Sequence, residues 1–205
     1  DSHVTLALSL RDGDCGLPGN RDITVTYRVT APATLTMEIT GTTDTTTTMS
    51  FANHSYWNLD GTDNWGGHVL QIHADQFLPG TDQCYPTGEI VDVSGTAMDF
   101  RDPRTIAPQT DSFDNNFCLA NHRRPLHDVL TLTGTTGVTM TIATTEPGIQ
   151  VYDNKDGARP GRTTREGLAI EAQFWPDAPN NPSFPSILLP PDQSYTQVTT
   201  WSFTA

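Results

Sequence analysis

Short runs in which β-branched or apolar residues alternate with polar ones recur along this chain, and they constrain its fold more than any other feature. Each run is interrupted by Gly, Pro, Asn or Asp, which favour turns, and helical periodicity is weak throughout. The runs predict β-strands at 24–30, 34–40, 47–57, 68–73, 129–133, 138–145, 148–153, 167–174 and 195–203. Many strands joined by long, irregular connections indicate an all-β fold, a large antiparallel β-sandwich.

The length of the chain suits one domain. All-β sandwiches of about 200 residues commonly stay single, and neither a fixed-period repeat nor a linker divides these 205 residues. We therefore expect residues 1–205 to form a single β-sandwich domain. Strand-like sequence begins almost at the first residue, with no capping segment before it, which is also what the downstream part of a larger domain would show.

The charge balance excludes several classes of partner. Asp and Glu number 24 against 11 Lys and Arg, which gives a net charge of −13. Such a field repels phosphate backbones and anionic membrane surfaces, so we expect neither a nucleic-acid nor a membrane partner. A neutral small molecule is not repelled. No apolar run approaches the roughly 20 residues that a membrane-spanning helix needs.

Three cysteines bear on metal binding and on compartment: Cys15, Cys84 and Cys118. They are few and scattered, and no pair has the CxxC spacing of a structural zinc site. One disulfide with a free thiol and three buried thiols are both consistent with the sequence. The compartment therefore stays open between the cytoplasm and secretion.

The run at 167–174 has two faces of different character, because successive side chains of a strand point to opposite sides. One face is apolar and is expected in the core: Leu168, Ile170, Ala172 and Phe174. The other face carries Ala169, Glu171, Gln173 and Trp175. A carboxylate, an amide and an indole along one face suit a sugar, since hydroxyls need hydrogen-bond partners and C–H faces stack on aromatic rings. An ordinary solvated sheet face is the alternative.

A second polar segment, at 50–59, contains a histidine among amide and aromatic side chains. As a strand it would point His54, Tyr56 and Asn58 to one side. Histidine has a reference pKa of about 6.5 and can give or take a proton near neutrality, so His54 is a candidate for acid–base chemistry. A hydrogen-bonded structural histidine is the alternative.

Two further positions and one histidine pair complete the candidates. Asp114 is a carboxylate beside apolar residues, and Gln150 lies on the face opposite the neighbouring apolar residues of its run. His68 and His73 are five apart, which puts them on opposite faces of a strand and argues against joint metal binding. We therefore expect no metal site.

Six segments carry recognisable motifs. They are DGDCGLPGN at 12–20, NHSYWNLDG at 53–61, ADQFLP with YPTGEI within 74–90, FDNNF at 113–117, TEPGIQVY at 145–152 and EAQFWPDAPN at 171–180. Together they resemble the aldose 1-epimerase (galactose mutarotase) family, whose patterns include DGExGxPGN, NHSYxNLxG, ADxYLP…PTGEI and DHNF. Asn115 stands where the family usually has His. One such motif is weak evidence, but chance does not explain six in the right order.

The resemblance implies both a fold and a set of roles. The fold would be a large twisted β-sandwich of the galactose mutarotase type. Glu171 stands where the family has its general base, His54 where it has its general acid, and Asp114 and Gln150 where substrate hydroxyls are held. The implied reaction interconverts the α and β anomers of an aldohexose by opening and reclosing its ring, and it needs no metal or organic cofactor.

One part of the family pattern is missing. The family's fold normally begins with a further N-terminal region, which supplies a substrate-binding Asn-Arg pair and a second histidine, and neither is found in this sequence. Three explanations are open: a fragment, a processed chain paired with a second polypeptide that supplies the region, or a reduced relative that binds sugar poorly or not at all. A non-catalytic carbohydrate-binding or structural partner β-sandwich is therefore the alternative function.

Overall fold

The computed structural model describes residues 2–81, 83–157 and 160–205. Strands make up 43% of the structure and helices 3%, so the prediction of an all-β fold is confirmed. The helical elements in these ranges are two single 3₁₀ turns, η1 (Asp14–Gly16) and η2 (Ala178–Asn180).

The described residues form sixteen strands. In chain order they are β1 (Ser2–Leu10), β2 (Arg21–Thr30), β3 (Thr34–Thr43), β4 (Thr47–Thr48), β5 (Tyr56–Trp57), β6 (Val69–Ile72), β7 (Gln76–Leu78), β8 (Val91–Asp92), β9 (Arg104–Thr105), β10 (Asp114–Cys118), β11 (His127–Thr133), β12 (Thr139–Thr144), β13 (Gly148–Tyr152), β14 (Leu168–Gln173), β15 (Leu188–Leu189) and β16 (Tyr195–Thr204).

These strands pair into two large sheets and one small ribbon. The larger sheet has the order β1-β2-β3-β16-β12-β11-β6-β9, the second has the order β5-β14-β13-β10-β7-β8, and β15 pairs with β4. All of these pairings are antiparallel. The predicted antiparallel architecture is therefore confirmed.

The hydrophobic core lies between the two large sheets. The larger sheet contributes fully buried side chains such as Leu70, Leu130, Ile142 and Trp201. The six-stranded sheet contributes Phe117, Ile149, Ile170 and others to the same contiguous cluster. This shared core is what makes the molecule a sandwich, and it leaves the outer face of the six-stranded sheet free to carry polar groups.

One edge of the large sheet is apolar and uncovered. β1 is the edge strand, and its residues Val4, Leu6 and Leu8 are each more than half exposed. They continue the apolar face of β2, where the cross-strand partner of Leu6 is Val25. The apolar face of this sheet therefore extends beyond the part that the six-stranded sheet covers.

The strand predicted at 47–57 is wrong. Thr47 and Thr48 pair with β15, but residues 49–55 belong to no strand, and pairing resumes only at Tyr56. The side chain of Asn53 accepts a hydrogen bond from the backbone N–H of Ser55 at 3.1 Å. Such local side-chain bonds compete with strand pairing and turn the chain. His54 therefore lies on a short loop rather than within a sheet.

Candidate active site

Three central strands of the six-stranded sheet carry a row of polar residues across their outer face. In the antiparallel register Gln150 of β13 lies opposite Glu171 of β14 on one side and opposite Asn116 of β10 on the other. Residues directly opposite in neighbouring strands point to the same side of a sheet, with Cβ atoms about 4.5–5.5 Å apart. Asn116, Gln150 and Glu171 therefore form one row of side chains.

Glu171 is the buried carboxylate of this row. Its residue exposure is 8%, because β14 is covered on both faces. Burial raises the pKa of Glu171 above its ordinary value, the positive field of His54 acts in the opposite direction, and the charge of Asp114 raises it further. Glu171 is therefore a carboxylate with a stronger affinity for a proton than an exposed glutamate.

His54 approaches Glu171 from the loop before β5. Its Nε2 atom lies 3.5 Å from Oε1 of Glu171. β5 pairs with β14 and brings the loop alongside, since Tyr56 lies opposite Ala169. The ring of Tyr56 lies 5.1 Å from the imidazole, and that of Tyr152 lies edge-on at 6.4 Å. Two tyrosines thus hold the imidazole next to the carboxylate.

Asp114 and Gln150 are also brought together. The Nε2 atom of Gln150 donates a hydrogen bond to Oδ1 of Asp114 at 2.9 Å. The Oε1 atom of Gln150 is buried and has no hydrogen-bond partner among the described residues. The structure therefore assembles all four predicted site residues on one face of the sheet, as an imidazole–carboxylate pair beside an amide–carboxylate pair.

A cavity of about 240 Å³ opens on this face. It is smaller than the roughly 300–1,000 Å³ pockets that hold drug-sized ligands, so its size suits a small molecule. Its polar lining includes Asp114, Asn116, Gln150, Glu171 and Gln173. A larger groove of about 650 Å³ includes Tyr56 but none of the four predicted residues, so its greater volume does not mark it as the reaction site.

Among the cavity-lining residues that sequence reasoning missed, three have side chains able to form hydrogen bonds: Cys84, Tyr85 and Asn116. Cys84 and Tyr85 lie in an irregular segment with no periodicity to reveal a direction. The carboxylate of Asp114 raises the pKa of the nearby Cys84 thiol. Asn116 lies two residues after Asp114. Had the segment at 113–117 been predicted as a strand, alternation would have assigned both residues to the same face.

Trp175 lies on the predicted outer side of the sheet, since a Cβ atom placed on Gly148 would lie 2.9 Å from its Cδ1 atom, but its indole is buried rather than open to a sugar. Its residue exposure is 5%, its Nε1 atom donates to the carbonyl of Pro147 at 2.9 Å, and its ring packs on Phe184 at 5.2 Å. Trp175 belongs to a second apolar cluster and is not a surface on which a sugar ring could stack.

The described part of the chain brings together no group of three or more His, Cys, Asp or Glu side chains that could hold a metal ion. His68 is fully buried, and its two ring nitrogens bond the backbone of Leu59 and Trp65. His73 bonds the carbonyl of Asp128 instead. In the same ranges no helix has the length and apolar character that crossing a membrane would need.

Comparisons with known proteins agree on one family. A family model described as aldose 1-epimerase matches residues 1–202. Galactose mutarotase from Sus scrofa is 36% identical over 204 residues, which is 93% of this chain and 59% of that protein. Aldose 1-epimerase from Escherichia coli K12 is 33% identical and is matched over 100% of this chain and 65% of its own length.

A solved structure extends the likeness to the fold. The GalM/aldose epimerase homologue from C. elegans superposes with a TM-score of 0.91 at 31% identity, over 98% of this chain and 65% of that one. The chain thus spans less than two thirds of the length of each of these relatives. The resemblance inferred from the six motifs is confirmed: the chain belongs to the aldose 1-epimerase family.

Proposed function

We propose that this chain is an aldose 1-epimerase, or mutarotase, that interconverts the α and β anomers of aldohexoses such as galactose or glucose. The observation that carries the proposal is the 3.5 Å separation between Nε2 of His54 and Oε1 of Glu171, a carboxylate that lines a small cavity. Family membership supports the reaction type. The names of the relatives support a sugar as substrate.

The chemistry requires an acid and a base close together. The carboxylate of Glu171 takes the proton of the C1 hydroxyl while the protonated imidazole of His54 gives a proton to the ring oxygen, and the bond between C1 and the ring oxygen breaks. Rotation about C1–C2 and reclosure on the other face of the aldehyde inverts the anomeric centre. Both oxygens are attached to C1, so an adjacent acid and base can reach both from one bound position.

The environment of Glu171 fits the role of base. Its pKa is raised by burial, so it binds the abstracted proton more strongly than an exposed carboxylate would. Catalytic groups are most effective when their pKa lies closer to the working pH. Asp114 and Gln150, already hydrogen-bonded to each other, supply acceptors and a donor for the sugar hydroxyls.

Polarimetry on freshly dissolved α-galactose or α-glucose tests the proposal. Glu171→Gln keeps the shape of the side chain and removes the base, and we expect it to slow enzymatic equilibration by about 10²- to 10⁴-fold. Glu38→Gln, at an exposed position in β3 of the other sheet, is the matched control and should be unaffected. Equally slow equilibration with wild type and Glu171→Gln would refute catalysis by this chain.

A non-catalytic carbohydrate-binding module is the second candidate. It is favoured by the polar side chains of the cavity, Asp114, Asn116 and Gln150, which can bind a sugar whether or not a proton is transferred. Calorimetric titration with sugars distinguishes the two functions, because saturable binding without mutarotation supports only the second. A bound second polypeptide stays a prediction that the native mass of the particle tests. A single domain over residues 1–205 stays a prediction that a single cooperative unfolding transition would support.

A further inference from the structure

The amide of Asn116 is buried and forms no hydrogen bond among the described residues. Its residue exposure is 1%, and neither its Oδ1 nor its Nδ2 atom has a partner among the described residues. It also lines the 240 Å³ cavity. We propose that Asn116 is a further substrate-binding residue, whose amide binds a hydroxyl of the sugar. This inference rests on the proposed function and adds a contact to it.

Unpartnered polar atoms are concentrated at this cavity. The described residues contain six buried side-chain nitrogen or oxygen atoms without a partner, and three of them belong to Asn116 and Gln150. Folded proteins leave few such atoms, and each one calls for an explanation. The Cys118 thiol, two residues along on the same face, lies close to the Asn116 amide but is only a weak partner. A polar ligand in the cavity is the explanation that fits both residues.

The two amides complement a hydroxyl group. Gln150 lies directly opposite Asn116, so their side chains are neighbours on one face. The Nε2 atom of Gln150 is used by Asp114, which leaves Oε1 as an acceptor. A sugar hydroxyl both donates and accepts. It can therefore donate to Oε1 of Gln150 and accept from Nδ2 of Asn116.

The backbone makes room for this amide. Gly148 and Gln150 are two residues apart in β13, so both face the outer side of the sheet. A Cβ atom placed on Gly148 would lie 2.5 Å from Oδ1 of Asn116. Real side chains do not approach so closely, so any larger residue would displace the amide. Gly148 thus leaves the space that the Asn116 side chain occupies at the cavity.

Asn116→Leu tests the inference, because leucine has a similar size and no polar atoms. We expect kcat/KM for mutarotation to fall by about 10-fold or more, while the thermal midpoint of unfolding stays equal or rises. Asn115→Leu is the matched control. The Asn115 amide faces away from the cavity and donates to the carbonyl of Leu78, so its loss should lower the midpoint and leave kcat/KM unchanged. A lowered midpoint with unchanged kcat/KM in Asn116→Leu would overturn the inference.

Deoxygalactoses lacking the hydroxyl at C2, C3, C4 or C6 identify the contact. For the hydroxyl that Asn116 binds, its removal should reduce kcat/KM in wild type but produce little further loss in Asn116→Leu. Equal losses in both enzymes for all four analogues would overturn the inference while leaving the proposed function standing. If the wild type does not catalyse mutarotation, both proteins are titrated with galactose in a calorimeter instead. Equal affinities, or no binding to either protein, would overturn the inference that Asn116 binds the sugar.

Discussion

The imidazole of His54 is 53% exposed, whereas the carboxylate of Glu171, 3.5 Å from it, is 10% exposed. The proposed acid therefore faces solvent and can exchange protons with water, while the proposed base is shielded. Electrostatic effects are stronger where water is excluded. The charges of its neighbours His54 and Asp114 therefore act strongly on the pKa of Glu171.

The first prediction concerns the titration of Glu171. Its pKa, followed by ¹³C NMR of the side-chain carboxyl, should lie above the roughly 4.3 of an exposed glutamate. His54→Asn should raise it further, because the positive imidazole lowers it, and Asp114→Asn should reduce it, because the Asp114 charge raises it. The acidic limb of the kcat/KM profile should follow Glu171. Shifts in the same direction in both variants would contradict this account.

The second prediction is that Glu171→Gln stabilises the fold at neutral pH. The folded-state pKa of Glu171 is raised above the unfolded one, so stability present below the unfolded pKa is lost as pH rises through the folded pKa. An amide cannot ionise and escapes this loss. Thermal melts should therefore show a higher midpoint for the variant at pH 7 and a smaller difference at pH 4. Exposed Glu38→Gln is the control, and a lower midpoint at pH 7 would argue against the prediction.

The third prediction concerns a buried ion pair. Arg123 donates from Nε to Oε1 of Glu146 at 2.7 Å, and its guanidinium lies 4.1 Å from the ring centroid of Tyr195. The Glu146 side chain is fully buried, and burial raises its pKa against the effect of Arg123. Arg123→Ala leaves that carboxylate unpaired, so we expect about 3–5 kcal/mol of destabilisation in urea unfolding.

Arg101→Ala is the control for this ion pair. Arg101 also pairs with carboxylates, Asp75 and Asp99, but its side chain is 40% exposed, and ion pairs in solvent contribute little. Its replacement should change the unfolding free energy much less. Equal effects of the two replacements would mean that burial of Glu146 does not govern the result.

The fourth prediction concerns Gly148. A Cβ atom there would also lie 2.9 Å from Cδ1 of Trp175, so Gly148→Ala overpacks the site and should cost about 1–3 kcal/mol. It should also raise KM, since the Asn116 amide must move. Gly80→Ala is the control for overpacking, because Gly80 also lines the cavity but the nearest atom to its added Cβ would be 3.8 Å away. A fully stable Gly148→Ala protein with unchanged KM would disprove both expectations.

Alternation was sufficient to find the strands with clear periodicity, such as β2, β3 and β16. It failed for β10, whose sequence DNNFC is rich in residues that are rare in strands. That strand is stabilised by pairing with β7 and β13 on its two sides, and such long-range pairing is invisible in a local pattern. Local propensity therefore missed the strand that carries Asp114 and Asn116.

Alternation likewise predicted the position of some residues of the candidate site and not of others. Glu171 and Gln150 could be assigned to a face because each lies in a run with clear alternation. His54 was a candidate because of its residue type and polar neighbours, but its role as general acid came from the family resemblance, and the strand predicted around it was wrong. His54 and Glu171 are more than a hundred residues apart in the sequence. Their contact depends on the pairing of β5 with β14, and alternation within a strand does not predict which strands pair.

The loop at 49–55 has one consequence for how the molecule would lose function. Glu171, Gln150 and Asp114 are fixed by paired strands, whereas His54 is carried by a segment with few backbone bonds to the sheets. Segments of this kind open with less free energy than the global fold. Mild heat or denaturant would thus separate proton donor from acceptor while the sheets remain intact, and inactivation would precede unfolding.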